Sequence, residues 1–186
     1  MRVGLMIEGQ EGVSWEEWLL LARACEESGV DGLFRSDHYL SVMGEPRRDS
    51  LSAGPRSCRL AARFADEYNT VFASVDECAE RRARVDEACR SAGREPIAFS
   101  LMTGCVVGGD RRELEERAAN VARRTGRSAD ELLSSDRTIT GTVEEVIERL
   151  REYERVGVQR AYLQHLDHSD LDMVRLIGNE VAPSLE

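Results

Sequence analysis

Two stretches at opposite ends of the chain share one pattern, and that pattern narrows the fold to parallel β/α repetition. ARACEESGVDGLFRSDH occupies residues 22–38 and LREYERVGVQRAYLQHLDH residues 150–168. Each runs from an amphipathic segment through a Gly-Val turn into a short apolar strand, then ends on a charged or histidine-bearing tip. A helix that feeds a buried parallel strand reads this way. In such folds the C-terminal ends of the strands are where ligands bind.

The intervening sequence repeats the rhythm. Residues 2–8 read as a first strand and 9–13 as a loop. Ser14 caps a helix with Glu17 at the reciprocal position. Trp18, Leu21, Ala22 and Cys25 recur at helical spacing and predict its buried stripe, and Gly29 ends it. The second strand spans 32–36. A short helix over 56–66 precedes a strand at 68–73, and Ser74 with Glu77 caps the next helix, which ends at Gly93. Pro96 opens a fourth strand, Asp110 with Glu113 caps a helix to about Arg124, and Ser128–Glu131 starts a short helical insert. Thr142 with Glu145 caps a helix leading into a fifth strand at 160–166, and residues 169–180 form the last helix, capped by Asp167 or Ser169.

Five strands are too few for an ordinary eight-stranded barrel, which takes roughly 250 residues. The sheet therefore stays open, closes abnormally, or is completed by a second chain. An open apolar edge invites pairing, so a homodimer is expected. Residues 1–186 are read as one shortened domain, interrupted by an irregular loop at 40–56 that is rich in Gly, Pro, Ser and charge.

Composition removes several function classes. With 25 basic against 35 acidic residues the net charge is −10, which opposes nonspecific binding to nucleic acid or anionic membranes. Every basic residue is arginine, so Schiff-base and P-loop lysine chemistry are absent. The five cysteines, Cys25, Cys58, Cys78, Cys89 and Cys105, contain no CxxC pair and suit a reduced cytoplasmic protein. No apolar run approaches the length of a membrane span, and no signal-peptide pattern opens the chain.

Asp37 and His38, at the end of the second strand, are the candidate catalytic pair, with His38 able to exchange a proton with a bound ring. Ser52, Ala53, Gly54, Pro55 and Arg56 precede a helix whose free N–H groups suit a phosphate. His165, Asp167 and His168 end the last strand. His165 and Asp167 share a face only while the strand continues, so HxDH is not expected to bind metal. Gly4, Gly9 and Gly12 lack dinucleotide-fingerprint spacing. Trp15 and Trp18 suit packing, and Cys105 has no histidine beside it in sequence to activate it.

These segments resemble the luciferase-like monooxygenase superfamily, especially its F420-dependent branch. MRVGLMIE looks like that family's first strand, and ARACEESGVDGLFRSDHYL like its first helix and second strand with an Asp-His tip. SAGPRSCRLAARFADEYN, DEACRSAGREP with IAFS, and GTVEEVIERLREYERVGVQRAYLQ look like its later β/α units. The resemblance implies an α/β fold, a truncated (β/α)8 TIM-barrel-like arrangement of about five parallel strands, with the middle of the barrel reduced to residues 40–51.

It also implies F420, or alternatively FMN, as cofactor. Ser52–Arg56 would hold its phosphate, Asp37 and His38 would face its ring, and His165 would join the cofactor site. The implied activity is oxidoreduction of a small organic substrate. The alternative is a noncatalytic flavin- or deazaflavin-binding or structural dimeric remnant, with no cofactor if the pocket is lost.

Overall fold

The computed structural model describes residues 1–8, 13–35 and 55–185, with the side chains of Arg35, Pro55 and Arg56 outside that description. The strands are β1 (Arg2–Ile7), β2 (Gly32–Arg35), β3 (Glu67–Val71), β4 (Ala98–Gly108), β5 (Ile139–Thr142) and β6 (Arg160–Gln164). The helices are α1 (Trp15–Ser28), α2 (Pro55–Phe64), α3 (Val75–Ser91), α4 (Arg111–Thr125), α5 (Ala129–Ser134), α6 (Val143–Arg155) and α7 (Leu171–Leu176). A π-turn at Ile177–Val181 and a 3-10 turn at Ala182–Leu185 follow α7.

All the strand pairs are parallel, and the path runs β2-β1-β6-β4-β3. The last described strand lies beside the first, as barrel closure requires, yet among the described residues β2 and β3 are the two ends of the path. The sheet is thus an incompletely closed, barrel-like arc. β5 adds a strand that sequence periodicity did not reveal. It pairs with the C-terminal half of β4, Cys105 opposite Ile139 and Gly108 opposite Thr142.

The register separates two faces. Leu5 pairs with both Leu33 and Leu163, and Leu101 with Ala161, so one face is apolar and meets the helices. There Val3, Leu5, Ile7, Phe99, Leu101 and Leu163 are fully buried with Leu21, Leu150 and Tyr153. Burial of such side chains is worth about 1.5–3 kcal/mol each and holds the helices to the sheet. Tyr153 keeps its hydroxyl satisfied by donating to the Ala73 carbonyl at 2.8 Å. The opposite face is largely polar. Arg160 and the Tyr162 hydroxyl (2.9 Å) both donate to Glu67, and Asn69 donates to Ser100 at 2.8 Å. Phe34 meets Tyr162 edge-on at 4.6 Å. Gly4 makes room for them, because a Cβ there would stand 2.8 Å from the Phe34 ring.

The helix caps follow local chemistry. Ser14 with Glu17, Ser74 with Glu77, Ser128 with Glu131 and Thr142 with Glu145 all form capping boxes. Gly29 adopts the left-handed φ of 81° that ends α1. Two predictions shift. In α1 it is Ala24, not Ala22, that joins Leu21 and Cys25 in the core. The last helix is capped by Asp170, which accepts from the Met173 N–H at 2.9 Å, because Asp167 and Ser169 bond each other instead.

Among the described residues, the large apolar side chains left exposed lie on elements of the two open ends. Trp15, Leu19 and Leu20 belong to α1 and Phe34 to β2; Leu60 and Phe64 belong to α2, Val71 to β3, and Phe72 directly follows β3. No described helix is long and apolar enough to cross a membrane.

Candidate functional site

A cavity of about 480 Å³ opens at the C-terminal ends of the strands. Its sheet side is built from Glu8 after β1, Phe72 after β3, the Met102–Val106 end of β4 and the Gln164–Leu166 end of β6. The facing wall comes from the C-terminal part of α4 (Val121, Arg124, Thr125), from Arg127, from Leu132 of α5 and from Thr138 and Thr140 near or in β5. Val106, Val121 and Leu132 pack with Leu114 and Ala118 into a small apolar core separate from the main one.

His165 is the predicted site residue that the structure brings to the cavity. Its backbone N–H donates to the Met6 carbonyl at 2.9 Å, continuing the β6–β1 ladder by one residue. The side chain follows the parity of Ala161 and Leu163 and lies at the seam between sheet and helices, 1% exposed. Neither ring nitrogen has a hydrogen-bond partner among the described residues. Burial drives its pKa down to about 4, overriding the pull of Asp170 and Asp167 toward protonation, so the ring is neutral at pH 7. His168 also lines the cavity, and its Nδ1 is likewise buried without a partner.

Asp167 is engaged elsewhere. It accepts from the Ser169 hydroxyl at 2.6 Å and pairs with Arg124 at 2.9 Å. Below it, Arg117 is buried, pairing with Asp170 at 2.7 Å and Glu113 at 2.9 Å and donating to the Val107 carbonyl at 2.8 Å. Among the described residues no three His, Cys, Asp or Glu side chains gather as a metal-ligand set. Cys105 is fully buried and its thiol is pushed up to about 12, far from a thiolate nucleophile.

Asp37, His38, Ser52, Ala53 and Gly54 lie outside the described residues. Pro55 and Arg56 open α2, with no description of their side chains. Periodicity and motif reading missed Glu8, Gln164 and Phe72. Gln164 donates to Glu8 across the β6–β1 pair, both nearly buried. Phe72 has φ 44°, in the left-handed region that a bulky side chain rarely enters. It is held there by its N–H donating to the Met102 carbonyl at 2.9 Å. Polar residues at strand ends, next to a run of apolar ones, were the available signal for Glu8 and Gln164. Nothing in the local sequence marks Phe72.

The fold recurs in solved structures. An F420-dependent tetrahydromethanopterin reductase from Methanopyrus kandleri superimposes with a TM-score of 0.57 at 18% identity, over 73% of this chain and 50% of that one. The likeness is one of fold. The oxygenating constituent of the Pseudomonas putida 3,6-diketocamphane monooxygenase, in complex with FMN, gives 0.56 at 17% identity, over 70% and 46%. EDTA monooxygenase from Chelativorans gives 0.58 at 15%, over 72% and 42%. The chain thus spans about half or less of the length of the structures it matches. No family model and no curated protein matches the sequence.

Proposed function

We propose that this chain is an F420-dependent oxidoreductase of the luciferase-like type, acting on a small organic substrate, with FMN as the alternative cofactor. The observation that carries the reading is the cavity at the strand C-terminal ends in a fold whose solved examples include an F420-dependent reductase and an FMN complex. At about 480 Å³ it falls in the range of small-molecule sites, roughly 300–1,000 Å³. Its lining also suits a ring system. Met102, Val106 and Leu166 offer apolar contact, while Gln164 and the unpartnered His165 offer polar atoms. These residues would hold the ring, and Ser52–Arg56 the phosphate. A bound deazaflavin supplies hydride transfer and a bound flavin supplies oxygen activation. The protein's part is to orient the ring, exclude water and, through His38 supported by Asp37, give a proton to the substrate.

A homodimer completes this reading. Among the described residues β2 and β3 each have one parallel neighbour, and the exposed apolar side chains lie on elements of the same two ends. Five free, buried thiols support a reducing, cytoplasmic setting. The same open ends favour a second reading, a noncatalytic flavin-binding or structural remnant, because one chain leaves the arc unclosed.

Titration of the purified protein with F420 and with FMN, followed by absorbance and fluorescence, tests the proposal. Saturable binding of one of them at micromolar concentration is expected, with hydride transfer lost in His38→Ala. A folded protein that binds neither would overturn the oxidoreductase reading.

A further inference from the structure

The wall of the cavity contributed by α4 and the α4–α5 connection is basic, in a chain whose net charge is −10. Arg124 and Arg127 both line it, one before and one after Gly126, whose left-handed φ of 69° ends α4. Arg124 is tied to Asp167 at 2.9 Å and to the Ser169 hydroxyl at 3.2 Å, which fixes it at the rim. The guanidinium of Arg127 has neither an ion pair nor a hydrogen bond among the described residues, although other arginines of α4, Arg111, Arg112 and Arg117, are all paired. On the sheet side stand His168, whose buried Nδ1 has no partner among the described residues, and His165, 1% exposed, whose two nitrogens have none either. Buried polar atoms of this kind ordinarily have partners, and these line one cavity.

We propose that this wall is an oxyanion subsite, in which Arg127 and Arg124 receive the carboxylate or phosphate of a small organic substrate and His168 completes its hydrogen bonding. A planar guanidinium recognises either oxyanion through paired N–H donors. The unpaired Arg127 supplies the charge, and Arg124, held by Asp167, fixes the geometry. The neutral ring of His165 offers one donor and one acceptor, so it serves a hydroxyl or a buried water beside the anion rather than a second charge. Assigning the anion to substrate rests on the oxidoreductase reading. The anion site itself does not.

The test uses acetate and inorganic phosphate as probes. Binding is followed by the side-chain ¹⁵N resonances of His165 and His168, in the wild type, in Arg127→Gln and in Arg112→Gln, an exposed α4 control. F420 and FMN titrations run in parallel. Expected is a saturable histidine shift with one of the two probes, weakened about tenfold in Arg127→Gln and unchanged in Arg112→Gln, with cofactor affinity the same in all three proteins. The stronger probe names the anion as carboxylate or phosphate. Arg127 is exposed, so its replacement leaves the fold intact. Equal probe affinity in the wild type and Arg127→Gln overturns the subsite. A parallel loss of cofactor affinity in Arg127→Gln overturns the substrate assignment, since the arginines then serve the cofactor's phosphate. Anion binding in a protein that takes neither cofactor upholds the subsite while the oxidoreductase reading fails.

Discussion

Arg117 and Asp170 are joined by two hydrogen bonds, Nε to Oδ2 at 2.7 Å and Nη2 to Oδ1 at 3.4 Å, across 53 residues of sequence. The same aspartate caps α7, and the same arginine satisfies the Val107 carbonyl at the end of β4. One pair therefore ties α4, α7 and β4 together. Arg117→Met removes the cation from a buried site and leaves a carboxylate and a carbonyl short of partners. A loss of about 3 kcal/mol is expected, read from urea unfolding. Because Asp170 is partly solvated, Asp170→Asn should cost less than the arginine change.

Stability should depend on pH through His165. Its folded pKa of about 4 lies below the ordinary 6.5. Above pH 6.5 neither the folded nor the unfolded chain carries the charge, and nothing is lost. As the pH falls below 6.5 the unfolded chain takes up a proton that the folded chain refuses, so stability declines until the folded ring also protonates near pH 4. The full decline from this residue is roughly 3 kcal/mol. His165→Leu should flatten the difference between unfolding midpoints at pH 7 and pH 5. An unchanged pH dependence in that variant would assign the effect to other groups.

Phe72 combines backbone strain with a place on the cavity wall. A left-handed φ at a non-glycine residue costs about 1–2 kcal/mol, and such strain gathers at functional sites. Phe72→Gly should relieve the strain and raise the melting temperature slightly, while removing the ring from the site and weakening flavin or F420 binding. Phe72→Leu separates the two effects, keeping the strain but not the aromatic surface. Calorimetry and cofactor titration on both variants read them independently.

The open ends make a prediction about assembly. Leu60 and Phe64 lie one turn apart on α2 and are 63% and 72% exposed. Phe64→Glu should shift sedimentation toward the monomer at micromolar protein while leaving the far-ultraviolet spectrum unchanged. Trp15→Glu at the other end should do the same. A monomeric wild type would remove the dimer from the functional reading.

Much of the fold was legible because its signals are local. Ser14 and Glu17, Ser74 and Glu77, and Ser128 and Glu131 close their capping boxes over three residues, so the helix starts could be read directly. β5 was not, since ITGT is four residues long and becomes a strand only against Cys105–Gly108, far away in sequence. The start of α7 moved to Asp170 because Arg124, from another helix, engages Asp167. The place of His165 at a strand end was legible. Its burial was not, because the α4–α5 wall that accompanies it at the cavity comes from an insert with no site-like motif. Phe72 is set by the Met102 carbonyl, a tertiary contact with no imprint on its neighbours.

The wall of the cavity has a small apolar core separate from the main one: Val106, Leu114, Ala118, Val121 and Leu132. Cohesion within a segment need not match cohesion with the rest of the molecule, and separately packed units can open below the global unfolding free energy. Amide hydrogens of α4 and α5 should therefore exchange faster than those of β1 and β6. If so, the residence time of anything held in the cavity is set by how often this wall detaches, and substitutions at Leu114 or Ala118, which do not line the cavity, would change its off-rate.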